Sequence, residues 1–283
     1  MLRFFAGHQT LGIERVTETH YVRSIHWLGD DGILTVYNDG QRNVLVATVE
    51  GAASRHIEDF APALSRMFDL DADPDAIRLG LAHDRDLARM IDAAPGLRVP
   101  GTWSNFELIV RAIIGQQVSV KGATTVIGRV VTRAGVALGT FDDGTPCWRF
   151  PSPTEVATGD LHKLGMPYKR IATLQHVASV VASGAVPIET HPADTTILRQ
   201  SLLGLHGIGP WTVGYVAMRA WRDPDAWLET DLVLKQILLA LDPTATTLAQ
   251  QRLRTNTWRP WRSYAVMHLW NSVADRTGSE RGG

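Results

Sequence analysis

Cysteine is nearly absent from this chain. Cys147 is the single cysteine among 283 residues, so an intramolecular disulfide and a cysteine-ligated metal cluster are both excluded. The ten histidines lack metal-site spacings such as His-Glu-x-x-His. We therefore expect no required cofactor and no catalytic metal.

Long apolar runs are also missing. No run of 18 apolar residues occurs, which predicts no transmembrane helix and no membrane partner. The first residues, MLRFFAGHQTLG, lack the apolar core and cleavage site of a signal peptide. Together with the lone cysteine, this pattern predicts a cytoplasmic protein, with a monomer as the default.

Net charge is −1, but the charges are unevenly distributed. Residues 50–95 carry ten acids against five Lys/Arg, whereas residues 96–134 carry five Lys/Arg against one acid. Residues 244–275 carry four arginines against one acid. A polyanion could lie against the two later segments, although scattered, solvated surface charge would give the same counts.

The chain divides into a β-rich start and a helical remainder. Residues 13–50 show partial period-two alternation around a turn at 29–32, and helical spacing begins near Ala53. The pattern predicts an α+β protein with a small N-terminal antiparallel-sheet α/β domain at 1–70 and an all-α body at 71–283. The helices of the later part are predicted at about 154–163, 168–183, 194–203, 210–221, 231–241, 246–254 and 260–274.

The most informative stretch is LHGIGPWT, at 205–212. Apolar residues at helical spacing precede and follow it, which predicts a helix-hairpin-helix at about 195–221. Gly207 and Gly209 suit backbone angles that a β-carbon forbids, and Pro210 suits a first helical turn. Such a turn exposes N–H groups at a helix start, where an anion binds. The predicted phosphate-binding residues are Gly207, Ile208, Gly209 and Thr212.

Other glycine-loop motifs do not fit this stretch. A dinucleotide fingerprint needs a preceding strand and a third glycine at the right spacing, and a P-loop needs a final Gly-Lys-Ser/Thr. A nucleophile elbow needs Gly-x-Ser-x-Gly. An ordinary αα-hairpin without a ligand stays open as an alternative.

The spacing between the turn and an aspartate further along the chain is a second signal of function. Asp231, in ETDLVLK, lies twenty residues after Trp211 at the start of a predicted helix within 229–241. The two segments together resemble the helix-hairpin-helix–GPD superfamily of DNA glycosylases. AIIGQQVSVKGA, LGMPYKR and WRPWRSYAVMHLW resemble its alkylation-repair branch, the 3-methyladenine DNA glycosylase II family. The resemblance implies a bacterial, nucleoid-associated enzyme that excises alkylated bases from duplex DNA in base excision repair.

Asp231 is the candidate catalytic residue. Breaking an N-glycosidic bond produces an oxocarbenium-like sugar, which a carboxylate stabilises while it orients or deprotonates the attacking water. The alternative role is a plain helix N-cap, which aspartate also serves well. Superfamily members with lyase activity carry a lysine directly after the hairpin. Trp211 takes that position here, which predicts hydrolysis to an abasic site without strand cleavage.

Aromatic residues are the candidate base-binding groups. An alkylated base that carries positive charge stacks on an electron-rich ring with about 0.5–2 kcal/mol per contact. Trp211 and Tyr215 are four residues apart on one helical face, and the resemblance adds Trp261 as a third wall. Core packing is the alternative for each of them. Trp258 and Trp270 are assigned to the core.

Two further roles are implied by the resemblance. The loop at 115–118 would fill the gap left by a flipped base, with Gln117 at the inserting position where many relatives have leucine. Backbone carbonyls of Leu205, Gly207 and Ile208 would hold a structural Na⁺ or K⁺ that bridges to a phosphate.

Three other functions remain possible, and the sequence does not decide whether the chain is part of a longer fusion protein. The chain could be a non-catalytic helix-hairpin-helix DNA-binding module, a bifunctional glycosylase/lyase, or a fold relative that acts on a small N-glycoside. The start, FFAGHQTLGIERV, resembles the family's N-terminal domain without its first strand. We therefore expect either a natively short chain or the glycosylase part of a fusion with an alkylation-response domain.

Overall fold

The structure is a computed structural model that describes residues 1–192 and 194–279, with side chains described as far as residue 273. A short helix, α1 (Leu2–His8), precedes a four-stranded antiparallel sheet. Its strands are β1 (Glu14–Val16), β2 (His20–Trp27), β3 (Asp30–Asp39) and β4 (Val44–Gly51), paired in the order β1-β2-β3-β4. The predicted N-terminal antiparallel sheet is confirmed.

Alternation along β3 explains which face of the sheet is buried. Leu34 and Val36 point inward while their neighbours in the chain are partly exposed, as period-two packing requires. A 3-10 helix (Ala52–Phe60) and α2 (Ala61–Phe68) cover that face. Phe60 and Phe68 complete this first hydrophobic core, which holds no residue beyond 68 among its buried members.

The remainder of the chain is mainly helical. Asp73 caps the next helix by accepting hydrogen bonds from two backbone N–H groups. The helices are α3 (Pro74–Leu81), α4 (Arg85–Ala93), α5 (Asn105–Gly115), α6 (Val120–Ala134), α7 (Pro153–Thr158), α8 (Tyr168–Ala182), α9 (Thr196–Leu203), α10 (Pro210–Arg219), α11 (Leu232–Leu241), α12 (Leu248–Thr255) and α13 (Arg262–Ser279).

Helix α5 is the centre of the second core. Nine of its eleven residues are buried, which is the pattern of a helix surrounded by others. It packs against α6, α8 and α10, and the last two carry parts of the candidate site. The buried members of this core begin at Ile77, so the two cores divide between Phe68 and Ile77.

The expectation of an all-α body is wrong in one place. Strands β5 (Val136–Thr140) and β6 (Pro146–Arg149) form a two-stranded antiparallel hairpin within it. The hairpin packs on the N-terminal sheet, where the Ser24 hydroxyl donates to the Trp148 carbonyl over 2.6 Å. This contact with the neighbouring sheet stabilises the extended conformation.

Buried ion pairs join the two parts of the molecule. Arg23 of β2 and Arg111 of α5 both bind Glu107, each over 2.6 Å, and Arg111 also binds Glu14 over 2.7 Å. Because each carboxylate has a guanidinium partner, removing one member would leave an uncompensated buried charge. In the described part of the chain, no helix combines the length and the apolar character needed to cross a bilayer.

Candidate active site

A tight turn joins α9 to α10, as the glycine and proline spacing predicts. Gly207 has φ = +84°, a left-handed conformation that favours glycine. A β-carbon at Gly207 would also overlap the side chain of Thr173 on α8. Gly209 precedes α10 without a side-chain cap, and Pro210 lies in the first turn. The turn is therefore held against α8 by a contact that only glycine permits.

The start of α10 presents backbone donors. In the described part of the chain, the N–H groups of Gly209, Trp211 and Thr212 have no hydrogen-bond partner. The Thr212 hydroxyl is buried and accepts from Gln116 Nε2 over 3.0 Å, and the Ile208 side chain is buried as well. Of the predicted phosphate-binding residues, Gly209 and Thr212 can thus contribute a free backbone N–H, whereas Ile208 N already donates to Leu205 O and the Thr212 side chain is engaged.

Carbonyl groups of the same turn form the candidate cation site. Leu205 O accepts from Ile208 N over 3.1 Å, and Gly207 O accepts from Gln116 Nε2 over 3.2 Å. Each carbonyl keeps a second lone pair, so these neutral oxygens fit a hard monovalent cation. Among the described residues, no group of three or more His, Cys, Asp or Glu side chains could hold a metal ion.

Asp231 is the N-cap of α11 and has donors on both carboxylate oxygens. Oδ1 accepts from Leu234 N over 2.9 Å, so the capping role considered from sequence is real. Oδ2 accepts from the indole N–H of Trp211, also over 2.9 Å. Trp270 Nε1 lies 3.5 Å from Oδ1. Asp231 is 9% exposed, and its carboxylate sits at the rim of the Trp211 ring, because an indole N–H donates in the plane of its ring.

Two of the predicted aromatic residues form one stack. The rings of Trp211 and Tyr215 are 5.1 Å apart between centroids and only 10° from parallel. Tyr215 is buried, and its hydroxyl accepts from Arg219 Nη1 over 2.5 Å. The Arg219 guanidinium also lies over the Phe4 ring at 4.8 Å. Sequence reasoning missed Arg219, whose role depends on contacts from distant parts of the chain.

The expectation for Trp261 is corrected. Its indole covers Gly80 of α3, where a β-carbon would overlap it, and its ring meets Tyr264 edge-on with centroids 5.9 Å apart. The tryptophan that approaches Asp231 is Trp270 instead, with its ring 6.5 Å from that of Tyr215. Trp261 precedes α13 and faces α3, whereas Trp270 lies within α13, which packs against α11.

The loop between α5 and α6 stands beside the hairpin. Gln116 bonds both the Gly207 carbonyl and the Thr212 hydroxyl, so the loop is tied to the turn. Gln117 follows with an exposed side chain and a left-handed backbone (φ = +58°). This position fits a side chain that extends from the protein surface. Sequence reasoning did not identify Gln116, although it is the neighbour of the predicted wedge.

No lysine occupies the position directly after the hairpin. Trp211 follows Pro210, and the nearest following lysine is Lys235, one turn beyond Asp231 on α11. Cys147 is buried, and burial raises the pKa of its thiol to about 11, so it is not a reactive nucleophile.

The fold and this site together define a helix-hairpin-helix DNA glycosylase. A family model described as the AlkA N-terminal domain matches residues 1–104. The chain is 35% identical over 273 residues to DNA-3-methyladenine glycosylase 2 of Escherichia coli, covering 95% of this chain and 92% of that protein. The chain belongs to the DNA-3-methyladenine glycosylase 2 family, and it is a base excision repair glycosylase.

Two further proteins are similar to the chain, one in sequence and one in fold. The probable bifunctional transcriptional activator/DNA repair enzyme AlkA of Mycobacterium tuberculosis is 35% identical over 274 residues, which are 93% of this chain and 52% of that longer protein. The structure of a 3-methyladenine DNA glycosylase from Archaeoglobus fulgidus superposes with a TM-score of 0.82 at 18% identity, covering 98% of this chain and 94% of that one. At that identity the superposition establishes the fold.

Proposed function

We propose that the protein hydrolyses the N-glycosidic bond of alkylated bases in duplex DNA, among them 3-methyladenine and 7-methylguanine, and leaves an abasic site. The observation that carries the proposal is the hydrogen bond from Trp211 to Asp231. It places an acceptor carboxylate at the rim of an aromatic ring that can stack a flipped base. A module that only binds DNA would need neither group.

The geometry restricts where the base can stack. Trp211 and Tyr215 are already in stacking contact, so no base fits between them. The base would instead lie on the outer face of Trp211, with Tyr215 supporting that ring from behind. Trp270 would form a second wall in place of Trp261. A cationic base gains about 0.5–2 kcal/mol from such a ring, which favours alkylated over ordinary bases.

Asp231 would act on the sugar rather than on the base. The C1′–N bond breaks with its electron pair leaving on the base, which is a good leaving group because alkylation has made it cationic. The carboxylate stabilises the positive charge that develops on the sugar. It also orients the water that adds to C1′ and accepts a proton from it. No cofactor enters this reaction.

The same residues support hydrolysis without strand cleavage. A lyase step requires an amine that attacks C1′ and forms a Schiff base. The position after the hairpin holds Trp211, whose indole nitrogen is not a nucleophile. The abasic product would therefore stay intact until a second activity or alkali breaks the strand.

DNA would be held at the hairpin and opened by the neighbouring loop. The backbone N–H groups of Gly209, Trp211 and Thr212 would bind a phosphate, and Gln117 would enter the stack in place of the flipped base. The carbonyls of Leu205, Gly207 and Ile208 would hold Na⁺ or K⁺, which supplies positive charge for a phosphate oxygen.

Base release from a methylated duplex tests the proposal. Wild-type protein and Asp231→Asn are compared, with and without alkali after the reaction. We expect free 3-methyladenine from wild type alone, and strand breaks only after alkali. Strand breaks without alkali, with a borohydride-trapped adduct, would establish a lyase instead. Tight binding without base release by wild type would establish a non-catalytic binding module.

A further inference from the structure

Lysine and arginine serve different purposes in this molecule. The chain has only four lysines, Lys121, Lys163, Lys169 and Lys235. Many arginines bind carboxylates, whereas none of these lysines lies within 4.0 Å of a carboxylate in the part of the chain that the structure describes. The first three are exposed. An exposed cation without a counterion is free to meet an anionic partner.

Lys169 is placed beside the hairpin by α8. Thr173 of this helix is buried against Gly207. Lys169 precedes Thr173 by four residues, so the two share a helical face and are neighbours along it. The exposed Lys169 side chain therefore starts one helical turn from the contact that fixes the hairpin.

Lys163 is placed by the segment that leads into α8. Arg129 and Arg133 of α6 hold this segment from behind by donating to the carbonyls of Leu164 and His162, the first over 2.8 Å. Lys163, between those two residues, is exposed and has φ = +58°. Two arginines thus fix the backbone on either side of a lysine whose own side chain has no bonding partner among the described residues.

The elements around these lysines contain no acids. Residues 108–141, 161–188 and 195–222 lack aspartate and glutamate altogether. They include the wedge loop, the start of α8 and the whole helix-hairpin-helix. The acid that immediately precedes Lys163 in this region is Asp160, whose carboxylate accepts from His162 N over 3.0 Å. Along the chain, therefore, Asp160 is the single acid near Lys163 and Lys169, and no other follows before Glu189.

We propose that the lysine face, formed by Lys163, Lys169 and the exposed ring of Tyr168, binds backbone phosphates of the duplex beside the lesion. The face extends the phosphate grip of the hairpin along α8 and reads no sequence, because lysine acts on phosphate as a point charge. The proposal rests on the proposed function, since it assigns DNA as the occupant.

The salt dependence of DNA binding tests it. The double variant Lys163→Gln/Lys169→Gln is compared with Arg42→Gln/Arg85→Gln, which removes the same charge from exposed positions in the β3–β4 turn and in the acid-rich stretch 50–95. The dissociation constant for a duplex with a tetrahydrofuran abasic analogue is measured by fluorescence anisotropy at several KCl concentrations. Thermal unfolding of each variant shows whether the fold is kept.

We expect the lysine variant to bind more than tenfold more weakly at low salt. Its slope of log affinity against log salt should be shallower by about 0.9 for each lost phosphate contact, roughly 2 in total. The arginine variant should keep the wild-type slope. An unchanged slope in the lysine variant, or an equal change in the arginine variant, overturns the lysine face while wild-type base release still supports the proposed function. Absence of base release by wild type overturns the proposed function itself.

Discussion

The indole N–H of Trp211 donates to Oδ2 of Asp231 over 2.9 Å, which joins the residue proposed to stack the base to the residue proposed to act on the sugar. The two lie twenty positions apart in the chain, on the first turn of α10 and at the cap of α11. A single contact thus fixes both the tilt of the ring and the direction of one carboxylate oxygen.

Trp211→Phe separates these two contributions, because it keeps an aromatic face and removes the N–H donor. A hydrogen bond to a charged group contributes about 1.5–3 kcal/mol, so we expect single-turnover base release to slow by about tenfold or more. Affinity for an abasic-analogue duplex should change far less. If affinity fell and the rate at saturation stayed at the wild-type value, the N–H would have no part in orienting Asp231.

Substitution of Trp270 is expected to affect base release, whereas substitution of Trp261 is expected to affect stability. Trp270→Ala should lower the rate of base release at least tenfold, because Trp270 approaches Asp231 and Tyr215. Trp261→Ala should mainly lower the free energy of unfolding, by about 2 kcal/mol, because its ring fills the space over Gly80. Urea denaturation and single-turnover assays on both variants check this. If instead Trp261→Ala slowed base release and Trp270→Ala only lowered the stability, Trp261 would be the pocket wall.

The two hairpin glycines form a matched pair. Gly207→Ala must adopt φ = +84° and overlap Thr173, so we expect a loss of about 2 kcal/mol in the free energy of unfolding. Gly209 has φ = −105° and open space where a β-carbon would lie, so Gly209→Ala should unfold like wild type. Thermal denaturation of the free proteins measures the difference. If Gly209→Ala is stable but binds DNA more weakly, the added methyl group obstructs the phosphate that binds at the start of α10.

Gln117 should matter for base opening and not for folding. Gln117→Ala shortens a side chain that is exposed in the free protein, so stability should be unchanged. Fluorescence of 2-aminopurine opposite the lesion should rise less on binding, because less side chain enters the stack. Gln117→Leu should keep the signal. Equal signals from all three proteins would assign the wedge to another residue. Val118, which directly follows Gln117 and is also exposed, would then be the next candidate.

Stability should fall in mild acid because of buried histidine. Burial lowers the pKa of His268 from 6.5 to about 4, against the opposing effect of a hydrogen bond that the imidazole donates to the Met90 backbone. The unfolded chain therefore binds a proton below about pH 6.5 that the folded protein excludes until about pH 4. We expect the free energy of unfolding to decrease across this window by on the order of 2–3 kcal/mol for this group.

His268→Leu is the variant that checks the pH effect, with the exposed His83→Gln as its control. Urea denaturation at pH 7, 6 and 5 should show a smaller loss for His268→Leu than for wild type. His8 and His191, whose pKa values burial also lowers to about 4, would keep part of the loss. Identical profiles for wild type and His268→Leu would place the acid sensitivity elsewhere.

Local signals in the sequence predict what is local in the structure. The hairpin follows from glycine and proline spacing, and the caps at Asp73 and Asp231 follow from aspartate before an apolar helix. The β5–β6 hairpin was not predicted, although Asp143-Gly144 is a turn dipeptide, because its strands are short and stabilised by the distant N-terminal sheet. Chain spacing supports the hydrolytic role of Asp231, but the bond to Trp211 requires the fold.

The tryptophans near the C-terminus show most clearly what local sequence signals cannot predict. Trp258, Trp261 and Trp270 occur in one short segment, and nothing in that segment tells which ring turns toward Asp231. The choice depends on whether the ring meets α3 or α11, and those contacts are long-range. The resemblance led to this segment and chose Trp261, whose ring covers Gly80, whereas the ring that approaches Asp231 is that of Trp270.

Gln116 has a consequence for how undamaged DNA is inspected. Its side-chain amide bonds the Gly207 carbonyl and the Thr212 hydroxyl at once, which couples the position of the 115–118 loop to that of the hairpin. A helix that docks on the turn must therefore receive the tip of the loop in the same encounter. If Gln117 enters the stack as proposed, docking on the hairpin and disturbance of the local base pair would occur together, and a base pair weakened by damage would open more readily than an intact one.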